Sequence, residues 1–277
     1  MAVGRKTDGP LPETIIMLKP RFLPALLLPL ALFASQAYAT TWFPKEFVCP
    51  IDNQKNTFMV VGSYGSYIYS WPSKYQWLFW PKTDSPTFYF CKKCHLATYM
   101  WDYEKLPKEK IEAIKMVLEG IKYTNQFTDY LKTPVNDRLD VMEKVYSVLD
   151  KDDDWWCEFY RVRGYHYDRA GDKEKAAEYR KKALGLAAKL MKDGRSATPK
   201  KELLYIAGAM KHFIGDDSGA IAELETALKT KFESSKLKPE ELENAEKNMN
   251  ERITDYIAKI RSEKDKPRLL FDSENSD

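Results

Sequence analysis

The sequence predicts an α+β chain: a small β-rich, zinc-ribbon-like module followed by an all-α array of tetratricopeptide-like helical hairpins. Three observations predict it. Composition changes sharply near residue 104. Five of the seven tryptophans lie before it among glycines and prolines, and Lys, Glu, Ala and Leu at helical spacing follow it. Two knuckle-like segments, Cys49-Pro50-Ile51-Asp52 and Cys91-Lys92-Lys93-Cys94, fall in the first part. Two stretches of the second part align with each other at an offset of 44 residues.

The chain opens with a segment that reads as a signal peptide from Met17: Lys19 and Arg21, an apolar run from Leu23 to Phe33 broken by Pro24 and Pro29, then the small-x-small site Ala37-Tyr38-Ala39. The run is roughly a dozen residues, short of the roughly 20 that span a bilayer. The expected mature chain therefore starts near Thr40, carries no transmembrane segment and is periplasmic or secreted. Residues 1–16 read as an upstream extension of that signal. Lys+Arg and Asp+Glu nearly balance at 44 and 41, for a net charge of +3, so nucleic acid is not an expected partner.

Residues 40–104 form the expected β module. Phe58-Met59-Val60-Val61 and Tyr67-Ile68-Tyr69 flank Gly62 to Ser66 in a hairpin-like pattern, and Thr87-Phe88-Tyr89-Phe90 reads as a strand delivering Cys91. Between them Trp71 to Pro86 is an aromatic loop, either a stacking surface for a glycan or the core of a small sheet.

Residues 105–264 form the expected helical domain. Gly164, Tyr167, Gly171-Asp172, Ala176 and Ala183 correspond to Gly208, Lys211, Gly215-Asp216, Ala220 and Ala227. That spacing describes a helix, a tight Gly-Asp turn and a second helix packed closely through small residues, the tetratricopeptide pattern. Its usual period is about 34 residues, so the segment around Gly194 to Pro199 is a longer connection. Amphipathic runs at 108–122 and 134–149 predict added helices, and Leu242, Ala245, Met249, Ile253, Tyr256, Ile257 and Ile260 predict a C-terminal capping helix. Residues 265–277 read as a solvated, disordered tail.

Zinc takes four ligands in a tetrahedron, mostly Cys and His. Cys49, Cys91 and Cys94 supply three. The fourth is Asp52 by its knuckle position, with His95 beside Cys94 or Cys157 as alternatives. A competing arrangement pairs Cys49 with Cys91 or Cys94 in a disulfide, and a third makes Cys91 and Cys94 a thiol-disulfide couple. Asp150, Asp152 and Asp154 resemble a calcium loop without its glycine or final Glu and read instead as helix caps. His166 and His212 stand singly on predicted helices.

On Cys49-Pro50, on Cys91 to Cys94 with His95-Leu96-Ala97 after it, on Leu106-Pro107 and on the helix from Pro134 to Tyr160-Arg161-Val162-Arg163-Gly164, the chain resembles the domain of unknown function 2225 family. In these bacterial proteins a CPxC knuckle, a long β insertion and a CxxC knuckle precede tetratricopeptide-like helices. The resemblance covers most of residues 45–190 and implies the architecture. The family has no assigned activity, and Asp52 stands where its pattern has a second cysteine.

The expected function is that of a non-enzymatic extracytoplasmic binding or scaffold protein. Its groove would take a protein or peptide through Tyr160, Arg163, Tyr167, Lys211 and His212, and a structural zinc or disulfide would hold the ribbon. The alternatives are thiol-disulfide exchange at Cys91 and Cys94, and glycan binding by the aromatic module.

Overall fold

The computed structural model describes residues 41–64, 74–121 and 127–262. The signal-peptide and tail readings, and the Tyr67–Tyr69 strand, lie outside them.

Two antiparallel hairpins come first among the described residues. Strands β1 (Thr41–Val48) and β2 (Lys55–Ser63) pair from Thr41↔Ser63 to Val48↔Lys55. Strands β3 (Phe88–Phe90) and β4 (Ala97–Tyr99) pair from Phe88↔Tyr99 to Phe90↔Ala97. Among the described residues, the partner of β2 is thus the strand upstream of it. Only Phe47 is buried on β1, and Pro44 interrupts its alternation, so that strand carries no period-2 signal to read.

Among the described residues seven helices follow: α1 (Ile111–Glu119), α2 (Val135–Tyr146), α3 (Asp153–Arg169), α4 (Lys173–Asp193), α5 (Lys200–Phe213), α6 (Asp217–Lys229) and α7 (Pro239–Ser262). Helices α3 and α4 form an antiparallel hairpin, and α5 and α6 form another. The two share their turn, cap and backbone hydrogen bonds at the 44-residue offset. Gly171 (φ 84°) and Gly215 (φ 100°) take the left-handed conformation after α3 and α5, where a Cβ is disfavoured. Asp172 and Asp216 then cap α4 and α6 by accepting from the backbone N–H of Lys175 and Gly219, at 3.0 and 2.9 Å. A Cβ on Gly164 would sit 2.9 Å from Arg180 Cγ, and one on Gly208 would sit 2.8 Å from Leu224 Cγ, so both glycines set the inter-helix distance.

The long connection between the hairpins is tied down rather than loose. Asp154, on the first turn of α3, accepts from the Ser196 hydroxyl at 2.6 Å and from the Ala197 and Thr198 amides. Asp152 caps α3 itself by accepting from Trp155 N–H. Helix α7 buries Met249, Ile253, Tyr256, Ile257 and Ile260 against the array, the face its spacing predicts.

The compositional break near residue 104 is bridged by packing. Phe47, Phe58, Tyr89 and Tyr103 share one core with Leu139, Met142, Tyr146 and Phe159. Phe58 stacks on Tyr89 with ring centroids 4.2 Å apart, and the Tyr89 hydroxyl donates to Met59 O. The aromatic segment after residue 74 is likewise spent on packing. Tyr75 and Leu78 are buried, the Tyr75 hydroxyl donates to Asp255 on α7 at 2.9 Å, and Arg161 of α3 donates to Trp77 O. Arg180 joins this strap to the helices through Gln76 and the buried Asp168.

Candidate metal centre

Each hairpin ends in a six-residue loop, 49–54 and 91–96, and the two loops have the same backbone frame. In the first, Cys49 N–H donates to Gln54 O at 2.9 Å and Asn53 N–H to Cys49 O at 3.0 Å. In the second, Cys91 N–H donates to Leu96 O at 2.9 Å and His95 N–H to Cys91 O at 3.1 Å. Asn53 and His95 take matching left-handed φ values of 58° and 63°. Cys49 matches Cys91, and Asp52 matches Cys94.

The two frames aim four donors at one point. A sulfur of Cys49, Cys91 and Cys94 and a carboxylate oxygen of Asp52 all lie within 4.8 Å of one another. Cys49 Sγ and Cys94 Sγ are 3.5 Å apart, and Cys91 Sγ is 3.8 Å from both Asp52 oxygens. Sulfurs bonded at about 2.3 Å to one tetrahedral ion are about 3.8 Å apart, so the spacing suits a metal ion. Backbone amides of Lys93 and Cys94 point at Cys91, and that of Ile51 at Cys49, the donors that thiolate ligands require.

Charge is the physical problem of the cluster. Hydrogen bonds from Cys49 and then Cys94 hold the Cys91 thiol far below the ordinary thiol range. Bonding to Cys91 pushes Cys49 up to about 11, and bonding to Cys49 pushes Cys94 up further. Thiolates this close repel one another, and a cation between them would relieve that cost.

Asn56, on β2 and almost fully buried, joins the loops. Its Nδ2 lies 3.4 Å from Cys91 Sγ, 3.2 Å from the Tyr103 hydroxyl and 3.0 Å from Gln54 O, and its Oδ1 accepts from Lys92 N–H at 3.0 Å. The Tyr103 hydroxyl in turn reaches Cys49. Neither residue stands out in sequence. A lone Asn seven positions after a cysteine, and one more tyrosine among 17, carry no spacing signal.

Among the described residues the other candidates fall elsewhere. His95 is outside the donor cluster; its left-handed backbone turns the ring onto Phe90, stacked at 5.5 Å. Cys157 is buried on α3 beside Ala183 O. All four cysteines are free, so neither disulfide pairing is the arrangement here. Cys91 and Cys94 lie in a loop between strands, without the helix N-terminus that activates an exchange thiol.

The expected groove residues need correction. Arg163, Tyr167 and His212 are buried. Arg163 pairs with Asp140 and Glu143 of α2, the Tyr167 hydroxyl donates to Asp140 at 2.6 Å, and His212 faces Asp217 at 2.8 Å. They sit where successive helices meet, because the repeat pattern marks packing positions rather than a surface. Lys211 is half-buried and paired with Glu223. Tyr160 opens onto a cleft of about 390 Å³, shared with Asp153, Trp156, Lys182, Gly185 and Leu186.

No protein family, curated protein or solved structure matches the chain.

Proposed function

We propose that the chain is a non-enzymatic, extracytoplasmic binding or scaffold protein: a ribbon closed by a structural zinc ion, fused to tetratricopeptide-like hairpins that hold a protein or peptide. The observation that carries the metal half is the repeated loop frame, which brings three thiols and a carboxylate together. Four protein donors leave no position for substrate, the mark of a structural rather than a catalytic zinc. The soft sulfur-rich set favours zinc over magnesium or calcium. Support for the repeat half is that the two hairpins share turn glycines, Asp caps and backbone hydrogen bonds at a 44-residue offset. The two knuckle segments are also among the residues that carry the resemblance to the domain of unknown function 2225 family.

The docking surface in this reading is the cleft along Trp156 and Tyr160. Gly185 leaves it open, since nothing lies within 4 Å of where its Cβ would be. Two aromatic faces beside a bare helix backbone suit an extended peptide. Metal content is tested by native mass spectrometry, with one zinc per chain expected; a fully reduced chain that takes up none sinks the metal half. Selection from a displayed peptide library tests the groove. Binders whose affinity falls at least about tenfold with Tyr160→Ala are expected, and binders indifferent to that change would remove the cleft from the argument.

A further inference from the structure

The three thiols differ in setting, and the differences give an order of reaction. Cys94 is the half-buried one, on the solvent side of the cluster, whereas Cys49 and Cys91 are fully buried. Cys91 Sγ is enclosed by Asn56 Nδ2, by the backbone amides of its own loop and by Asp52. Cys49 Sγ faces Cys94 Sγ across the gap between the two hairpins at 3.5 Å. Closing that gap to a disulfide bond of about 2.05 Å needs a movement of about 1.5 Å, shared between two loop side chains.

Resting on the metal-centre reading, we propose that hydrogen peroxide switches this site: oxidation joins Cys49 to Cys94 across the two loops and expels the metal. With the ion holding the sulfurs as thiolates, Cys94 attacks one peroxide oxygen; the O–O bond breaks, a sulfenic acid forms and hydroxide leaves. The Cys49 thiolate then attacks that sulfur; the S–S bond forms, the S–O bond breaks and a second hydroxide leaves. Two protons from solvent turn the hydroxides into water, and the two sulfurs have lost the two electrons the peroxide gained. Cys91 and Asp52 remain as donors, too few to retain the ion. The bond ties one hairpin loop to the other, so the ribbon stays closed in the oxidised state and a thiol reductant reverses the change.

The test uses the full chain with its zinc content measured first. A chelating dye follows release on adding about one equivalent of peroxide, and peptides are mapped after alkylation under denaturing conditions. Release of the ion together with a Cys49–Cys94 linked peptide is the expected result. A Cys91–Cys94 or Cys49–Cys91 link, or oxidation with the metal retained, overturns the proposal while leaving the metal centre standing. A reduced chain with no zinc at the outset overturns the metal centre itself, and the switch with it. Cys49→Ser adds an independent reading: the sulfenic acid, trapped with dimedone, should persist on Cys94, and trapping mainly on Cys91 counts against the order given.

Discussion

Asp52 occupies in the first hairpin loop the position that Cys94 occupies in the second. Each stands three residues after a cysteine whose amide closes the loop, and each precedes a residue in the left-handed conformation. Asp52 Oδ1 also accepts from Gln54 N–H at 2.9 Å, a bond that fixes the carboxylate where a thiolate would project without such help. The departure from a CxxC pair therefore still leaves four donors that could hold a metal ion, with a carboxylate in place of a thiolate.

Asp52→Cys should complete a four-thiolate site. Affinity for zinc is expected to rise on the order of tenfold, because thiolate is the softer donor. In the cobalt-substituted protein the sulfur-to-metal charge-transfer band should grow by about a third as three thiolates become four. Asp52→Ala should weaken binding by at least about tenfold. Competition against a chromophoric chelator measures both, and an unchanged affinity in the alanine variant would mean that another group supplies the fourth ligand.

Asn56→Ala removes a buried amide that ties Gln54, Lys92, Cys91 and Tyr103 together. It leaves the Lys92 amide and the Tyr103 hydroxyl short of a partner, which should cost about 2–3 kcal/mol in denaturant unfolding of the metal-loaded chain. Loss of the N–H donor to Cys91 should also weaken metal binding by about tenfold to a hundredfold, the scale of other ligand-supporting residues. A stability loss with unchanged metal affinity would confine Asn56 to joining the loops.

The glycines of the helical array should separate sharply by position. Gly164→Ala and Gly208→Ala place a methyl under 3.0 Å from Arg180 Cγ and Leu224 Cγ, with Ala176 O and Ala220 O close behind, and each should destabilise by about 1–3 kcal/mol. Gly185→Ala meets nothing within 4 Å and should stabilise α4 by about 0.5–1 kcal/mol. Thermal unfolding of the three variants side by side measures the contrast. The same Gly185→Ala methyl points into the Trp156–Tyr160 cleft, so a variant that is more stable yet weaker in peptide binding would locate the docking surface.

How much of this was legible in the sequence depends on the range of each interaction. The helix pairs were legible because Gly164/Gly208, Asp172/Asp216 and Ala176/Ala220 act within one hairpin, where spacing fixes contact. The four-donor cluster was legible because a loop presents its first and fourth residues to one side. Strand β1 was not, since a two-stranded ribbon with one buried residue has no alternation to display. The fates of Arg163, Tyr167 and His212 were not legible either. Their acidic and aromatic neighbours come from α2, α4 and α6, and the repeat pattern marks a position on a helix without saying what packs over it. Asn56 illustrates the same limit, because its four partners are spread from residue 54 to residue 103.

His166 should make the fold acid-sensitive in a defined window. It is buried at the C-terminal end of α3, edge-on to Phe88, with Nε2 3.0 Å from Lys82 O. With a carbonyl oxygen as its partner, Nε2 is the donor. Burial depresses its pKa to about 3, with Arg169 and Arg138 adding to the effect. An unfolded chain takes up a proton near the ordinary histidine value of about 6.5, while the folded chain refuses it until about pH 3. Stability is untouched above about 6.5 and declines below it by up to about 1.4 kcal/mol per pH unit, as the unfolded state gains a proton that the native state lacks. His166→Gln keeps a side-chain N–H for Lys82 O and has no proton to gain. Between pH 6.5 and 4.5 its unfolding free energy should fall less steeply than that of the parent, by about one bound proton. Denaturant titrations at four or five pH values measure that difference in slope, and parallel curves for the two proteins would show that the ring is protonated in the fold after all.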